Sequence, residues 1–184
     1  MQLPWGNASD LQGDELAARY GWQLPLVLEA GYKLSKPVFL GLYAGVGYGP
    51  VGSGNEAEAA CAAEGVTCRA LSFQLGAQAQ YHFAPSDRIN PWVGAGFGWE
   101  MARQSLSNGA YTETQNSSGL TLLKLGLGAD YRSSFGFGPF VEVSAGRYQA
   151  TRTEIDGQRV HEGPVSRSAW HGFLMLGARL VVMP

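Results

Sequence analysis

One stretch restricts the folds open to this chain more than any other: Arg69 to Phe83, RALSFQLGAQAQYHF. Taken alternately, Leu71, Phe73, Leu75, Ala77, Ala79, Tyr81 and Phe83 are apolar or aromatic, while Ala70, Ser72, Gln74, Gly76, Gln78, Gln80 and His82 are small or polar. Successive side chains of a strand point to opposite faces, so the stretch is a strand with one apolar and one polar face. It exceeds the ~5–6 residues usual in globular proteins and meets the ~9–11 that a tilted strand needs to cross a bilayer. An apolar face of that length is either the wall of a large core or a surface in lipid.

The alternation recurs along the chain. Trp22 to Lys33 sets Trp22, Leu24, Leu26, Leu28, Ala30 and Tyr32 against Gln23, Glu29 and Lys33, with Pro25 on the polar face suggesting an incomplete ladder. Val38 to Gly49 opposes Val38, Leu40, Leu42, Ala44, Val46 and Tyr48 to a glycine-rich face. Pro91 to Met101, Leu120 to Tyr131, Pro139 to Tyr148 and Ala169 to Met183 complete seven full strands. The links between them alternate short and long, beginning with LSKP and then PVGSGNEAEAACAAEGVTC. No segment shows capped helical periodicity, and Glu56 to Glu64 is expected to form at most one or two turns of helix.

Short turns at one end and long loops at the other characterise transmembrane barrels, whose long loops lie outside. Aromatic residues fall near strand ends, as interfacial girdles do: Trp22, Tyr48 and Trp99 at the long-loop end, and Tyr32, Tyr81, Phe83 and Tyr131 at the short-turn end. A lipocalin-like soluble barrel would instead turn its apolar face inward and its polar face to water. Composition favours lipid. Only 15% of the 184 residues are charged, against about 25% in ordinary soluble domains. The polar faces are mostly Gly, Gln and Ser, which suits a narrow, crowded lumen better than a wet surface. With a net charge of −2, no basic surface points to nucleic acid. The expected fold is an all-β, antiparallel up-and-down transmembrane barrel of one domain, 1–184, set among outer-membrane lipids as a monomer.

Strand directions add one expectation. Trp22–Lys33 and the last strand both run toward the short-turn end, and parallel neighbours cannot close an even-stranded meander. An eighth strand running outward must precede them, and Met1–Trp5 is left as a truncated version of it, with GNASDLQGDELAARYG as its outer loop. Met1–Trp5 should pair only near the outer rim, with the start of Trp22–Lys33, the last strand or both. The opening MQLPWGNASD has neither the basic region nor the apolar core of a signal peptide.

The stretches WQLPLVLEAGY, QAQYHFAPSDRINPWVGAGFGWE and GPFVEVSAGRY, with the two-cysteine loop, resemble small outer-membrane β-barrel proteins found in myxobacteria, within the OmpA/OmpX-like eight-stranded class. The resemblance runs from about Gln2 to Val182. It implies a fold and a location rather than an activity. The chain departs from many such barrels in ending VVMP instead of in an aromatic residue.

No nucleophile elbow, metal-ligand spacing or phosphate loop appears, and no cofactor is implied. Ser166, Ser168, His171 and Glu162 are close in sequence, but read as polar loop and strand-end residues rather than a hydrolase constellation. Of the other histidines, His82 falls on the lumen face and His161 in a loop. Cys61 and Cys68 are expected to form a disulfide in an outer loop, the alternative being two free thiols. Inward charges remain: Glu100 and Lys124 in the outer half, Glu29, Asp130, Glu142 and Arg179 in the periplasmic half, and Lys33 lower still. Opposite charges in so narrow a space should pair, because a desolvated unpaired charge costs several kcal/mol. Arg179 is expected to reach Glu142 or Glu29. Arg147, on the outward face near the outer rim, is placed to snorkel. Two functions follow: a structural or interaction protein with a plugged lumen, or a narrow channel.

Overall fold

The computed structural model describes residues 1–9, 15–53, 56–131, 136–165 and 168–181. Its strands are β1 (Gln2–Gly6), β2 (Leu24–Lys33), β3 (Val38–Gly49), β4 (Thr67–His82), β5 (Ile89–Ser107), β6 (Thr112–Tyr131), β7 (Gly136–Ile155), β8 (Gln158–Pro164) and β9 (His171–Val181). Two short helices, α1 (Leu16–Arg19) and α2 (Glu56–Cys61), lie in the outer loops. Every strand pairing is antiparallel, in the order β1-β9-β7-β6-β5-β4-β3-β2, with β8 hung on β7.

The apolar faces point out. Leu24, Leu26 and Leu28 of β2 are 64–67% exposed, whereas Gln74, Gln78 and Gln80 of β4 are at most 8% exposed. This is the inverse of a lipocalin-like barrel, in which apolar side chains fill the interior. The aromatic residues at the strand ends are exposed as well, from 39% at Trp99 to 74% at Tyr32. On β6 the alternation survives an interruption. Register shifts at Ser118/Gly119 and Thr121/Leu123 leave Leu122 and Leu123 both outward, so that Thr121 and Lys124, three residues apart, both turn in.

The sheet differs from the expected one in extent. The polar stretches after Met101 and after Tyr148 are strand rather than loop: β5 continues to Ser107, β6 begins at Thr112, and β7 runs to Ile155 before turning into β8. A ninth strand therefore joins the expected eight, and His161 lies on it rather than in a loop. The turn between β7 and β8 uses Asp156 at φ 51° and Gly157 at φ 77°, residue types suited to a tight hairpin. The outer part of the β5–β8 ladder is held by its backbone bonds and by paired hydroxyls, such as Ser105 Oγ and Thr114 Oγ1 at 3.2 Å, with Ala102, Gln104 and Ser117 buried on its inner face.

Among the described residues, the two ends of the sheet meet only at the outer rim. Gln2–Gly6 of β1 pairs with His171–Met175 of β9, and the Gln2 and Gln23 backbones exchange hydrogen bonds of 2.8 and 2.9 Å. This is the rim-only pairing the hairpin count requires. Among the described residues, β2 from Leu24 to Lys33 is paired on its β3 side alone. Backbone groups of alternate residues face the same neighbour, so Pro25, two residues beyond Gln23, turns its donorless nitrogen to that unpaired edge.

Candidate functional site

The lumen is where this chain concentrates its buried polar chemistry, and it is filled in layers. At the outer mouth, α1 folds inward. Leu16 and Tyr20 pack with Ala8, Ala70, Ala102, Tyr148 and Phe173, all buried. The segment is tied down by Gly52 N–H donating to Arg19 O at 3.2 Å and Gly21 N–H to Pro50 O at 3.1 Å. Sequence reasoning missed this plug, because LAARY is too short to show a helical period.

Beneath the plug, His171 Nε2 lies 2.5 Å from Glu100 Oε1, Thr121 Oγ1 donates to Glu100 Oε2 at 3.1 Å, and the Tyr148 ring stacks on the imidazole at 3.7 Å. The pair meets over Gly146, where a Cβ would come within 2.5 Å of Glu100 Oε1. Nearer the seam, Ser72 Oγ donates to Gln23 Oε1 at 2.6 Å.

The middle layer centres on Lys124. Its Nζ is 3.0 Å from Glu142 Oε2, 3.2 Å from Gln78 Oε1 and 3.6 Å from the centre of the Tyr43 ring. Lys124 sits opposite Ser144 and Glu142 opposite Gly126, so the two are diagonal neighbours on one face of the β6–β7 ladder. Tyr43 fits because Gly76 and Gly98 are glycines; a Cβ at either would lie 2.7 Å from its Oη.

The periplasmic layer centres on Arg179. Its Nε and Nη2 donate to the two carboxylate oxygens of Asp130 at 2.8 and 2.6 Å, and Nη1 reaches Gln80 Oε1 at 3.0 Å and Glu29 Oε2 at 3.4 Å. The guanidinium also lies over Trp92 at 3.9 Å. Trp92 in turn occupies space left by Gly128, where a Cβ would meet its ring at 2.8 Å. Asn90 Nδ2 and His82 Nδ1 are 2.8 Å apart below.

Three expected placements need correction. Arg179 pairs chiefly with Asp130; of the two partners expected for it, Glu29 is reached at 3.4 Å and Glu142 is paired with Lys124 instead. Gly138 of β7, opposite Arg179, has no side chain to separate β9 from β6, and a Cβ there would come within 2.9 Å of Asp130 Cα. Glu142 lies two inward positions farther along β7, opposite Met175. Glu100 takes His171 as its partner, leaving Lys124 to Glu142. Lys33 is exposed at the rim and has no ion pair among the described residues. The imagined hydrolase set does not assemble: Glu162 pairs with Arg159 on β8, His171 is sealed against Glu100, and Ser166 lies outside the described residues. Among the described residues, no group of His, Cys, Asp or Glu could hold a metal ion.

Cys61 and Cys68 are joined by a disulfide, with their Cα atoms 5.7 Å apart, at the junction of α2 and β4. By chain-entropy reasoning a ring of this size stabilises by about 2–3 kcal/mol. Cys61→Ser with Cys68→Ser is expected to lower unfolding stability by up to that amount, read as a reduced urea midpoint. An unchanged midpoint would assign the bond no role in stability.

A sheet with an apolar outer belt, aromatic rims and a hydrogen-bonded polar interior defines a transmembrane β-barrel of the outer-membrane type. The family model described as outer membrane protein beta-barrel domain matches residues 1–163, and the chain belongs to that family. Its place is the bacterial outer membrane. No curated protein matches the chain.

Proposed function

We propose that this barrel serves the outer membrane as a structural or interaction protein, with its lumen plugged and its outer loops and the upper β5–β8 sheet available to the outside. The observation that supports the reading is the packing of the lumen. Between Trp92 and Lys124, the space beside Gln78, Gln80 and Glu142 amounts to about 10 Å³, room for one water. Above it Leu16 and Tyr20 close the mouth, and below it Arg179 spans from Asp130 to Glu29. A barrel of about eight strands leaves an interior just wide enough for side chains. Membrane lipid is the partner of the apolar belt, and a single chain fills its own interior, which suits a monomer.

The competing reading, a narrow channel, differs in one measurable respect. Purified protein in planar bilayers is expected to show no steady single-channel openings. Reproducible nanosiemens-scale steps would overturn the plugged reading.

A further inference from the structure

Above the outer aromatic rim, the outward face of β5–β8 carries a groove of about 300 Å³ lined by Trp99, Met101, Arg103, Ser118, Arg152 and Glu162, among others. We infer that this groove binds the phosphorylated headgroup of an outer-leaflet lipid, with Arg103 and Arg152 holding the phosphate and Met101 and Trp99 meeting the start of the acyl chains.

The placement follows from the register. Arg103 lies opposite Asn116, Asn116 opposite Arg152, and Arg152 opposite Glu162, forming one row across four strands. The row beneath is Met101, Ser118 and Ala150, in which the small Ser118 and Ala150 form the floor beside the longer Met101. Four residues separate Arg103 from the girdle residue Trp99, roughly 13 Å along a strand and about 9–10 Å along the membrane normal once the strand tilt is included. An interfacial tryptophan sits at headgroup level, so Arg103 stands on the outer side of it, where the phosphates and sugars of a large outer-leaflet headgroup project.

The chemistry selects phosphate. Arg103 Nε donates to Asn116 Oδ1 at 2.7 Å, which orients its guanidinium, and no carboxylate pairs with it among the described residues. Arg152 is held through Nη2 by Glu154, while its buried Nε–H has no hydrogen-bond partner. The remaining carboxylate, Glu162, is engaged by Arg159. Within the lining Arg152 is paired with Glu154, and Glu162 is drawn off by Arg159 from outside it, which leaves Arg103 as the groove's guanidinium without a carboxylate among the described residues. The described cations of this outer region are all arginine, whereas the three lysines lie at the periplasmic turn (Lys33, Lys36) or in the lumen (Lys124). Arginine's planar fork matches phosphate oxygens in pairs, which a lysine ammonium cannot do. A free anion would use the cations but leave Trp99 and Met101 unexplained. A lipid uses both, because its charge and its hydrocarbon are stacked in the same order as the groove's.

The test is native mass spectrometry of the detergent-solubilised barrel titrated with diphosphorylated lipid A, its dephosphorylated form and inorganic phosphate. Lipid A is expected to bind at least tenfold more tightly than its dephosphorylated form. R103Q/R152Q should weaken lipid A binding at least tenfold and R103K/R152K several-fold, while R88Q at the periplasmic end should leave it unchanged. Because Arg152 also holds Glu154, R103Q alone, in protein shown to be folded by heat-modifiable gel mobility, must still lose at least threefold. Equal binding of the dephosphorylated lipid, or full binding by R103Q, would overturn the inference. Displacement of lipid A by equimolar inorganic phosphate would overturn it too, marking a site for free anions.

Discussion

Arg179→Met is expected to destabilise the folded barrel by about 3–5 kcal/mol, because it strands a buried carboxylate. Asp130 is 2% exposed and receives both of its strong donors, at 2.8 and 2.6 Å, from this one guanidinium. Glu29, a quarter exposed, has Gln80 Nε2 at 2.9 Å as a second donor and should suffer less. Adding Asp130→Asn removes the uncompensated charge and should recover much of the loss. Urea unfolding followed by gel mobility reads both effects. A single mutant with the parental midpoint would show that the Arg179–Asp130 pair does not hold the periplasmic half together.

The second large effect is expected at Lys124. Its side chain is 3% exposed and that of its partner Glu142 is 9% exposed, so Lys124→Met leaves a buried carboxylate without the cation that contacts it and should cost about 3–5 kcal/mol. The double replacement Lys124→Met with Glu142→Leu should be far milder than the sum of the single ones, since buried ion pairs exchanged for apolar side chains of similar volume are often neutral or stabilising. Additive losses would mean that the two residues act separately, through Gln78 and Tyr43 on one side and the sheet on the other.

These pairings mark the limit of what the sequence makes legible. Which residues face inward follows from a period of two, and Leu71 to Phe83 or Leu24 to Tyr32 display it without ambiguity. Which inward charges meet depends on stagger and on what stands between the strands. Arg179 finds Asp130 because Gly138 intervenes, and Glu100 finds His171 because Gly146 does. Spacing along one strand carries no such information. The extensions of β5, β6 and β7 and the β7–β8 hairpin were hidden for a different reason. Ser105, Ser107, Thr112, Thr114, Thr151 and Thr153 are polar on both faces, so strand and loop look alike until the ladder is drawn. Leu16 and Tyr20 were hidden inside a loop whose remaining residues are mostly polar.

The central claim is that the apolar face of every membrane-level strand lies in lipid and the polar face in a packed interior. Spin labels placed singly at residues 73 to 82 of β4, in a background with Cys61 and Cys68 replaced by Ser and the protein reconstituted in bilayers, test it most directly. Collision with oxygen, which dissolves in lipid, is expected to peak at Phe73, Leu75, Ala77, Ala79 and Tyr81. At Gln74, Gly76, Gln78, Gln80 and His82 it should fall, with little access for a water-soluble nickel reagent either. Oxygen maxima at the even-numbered positions, or high nickel access along the odd-numbered ones, would contradict the account.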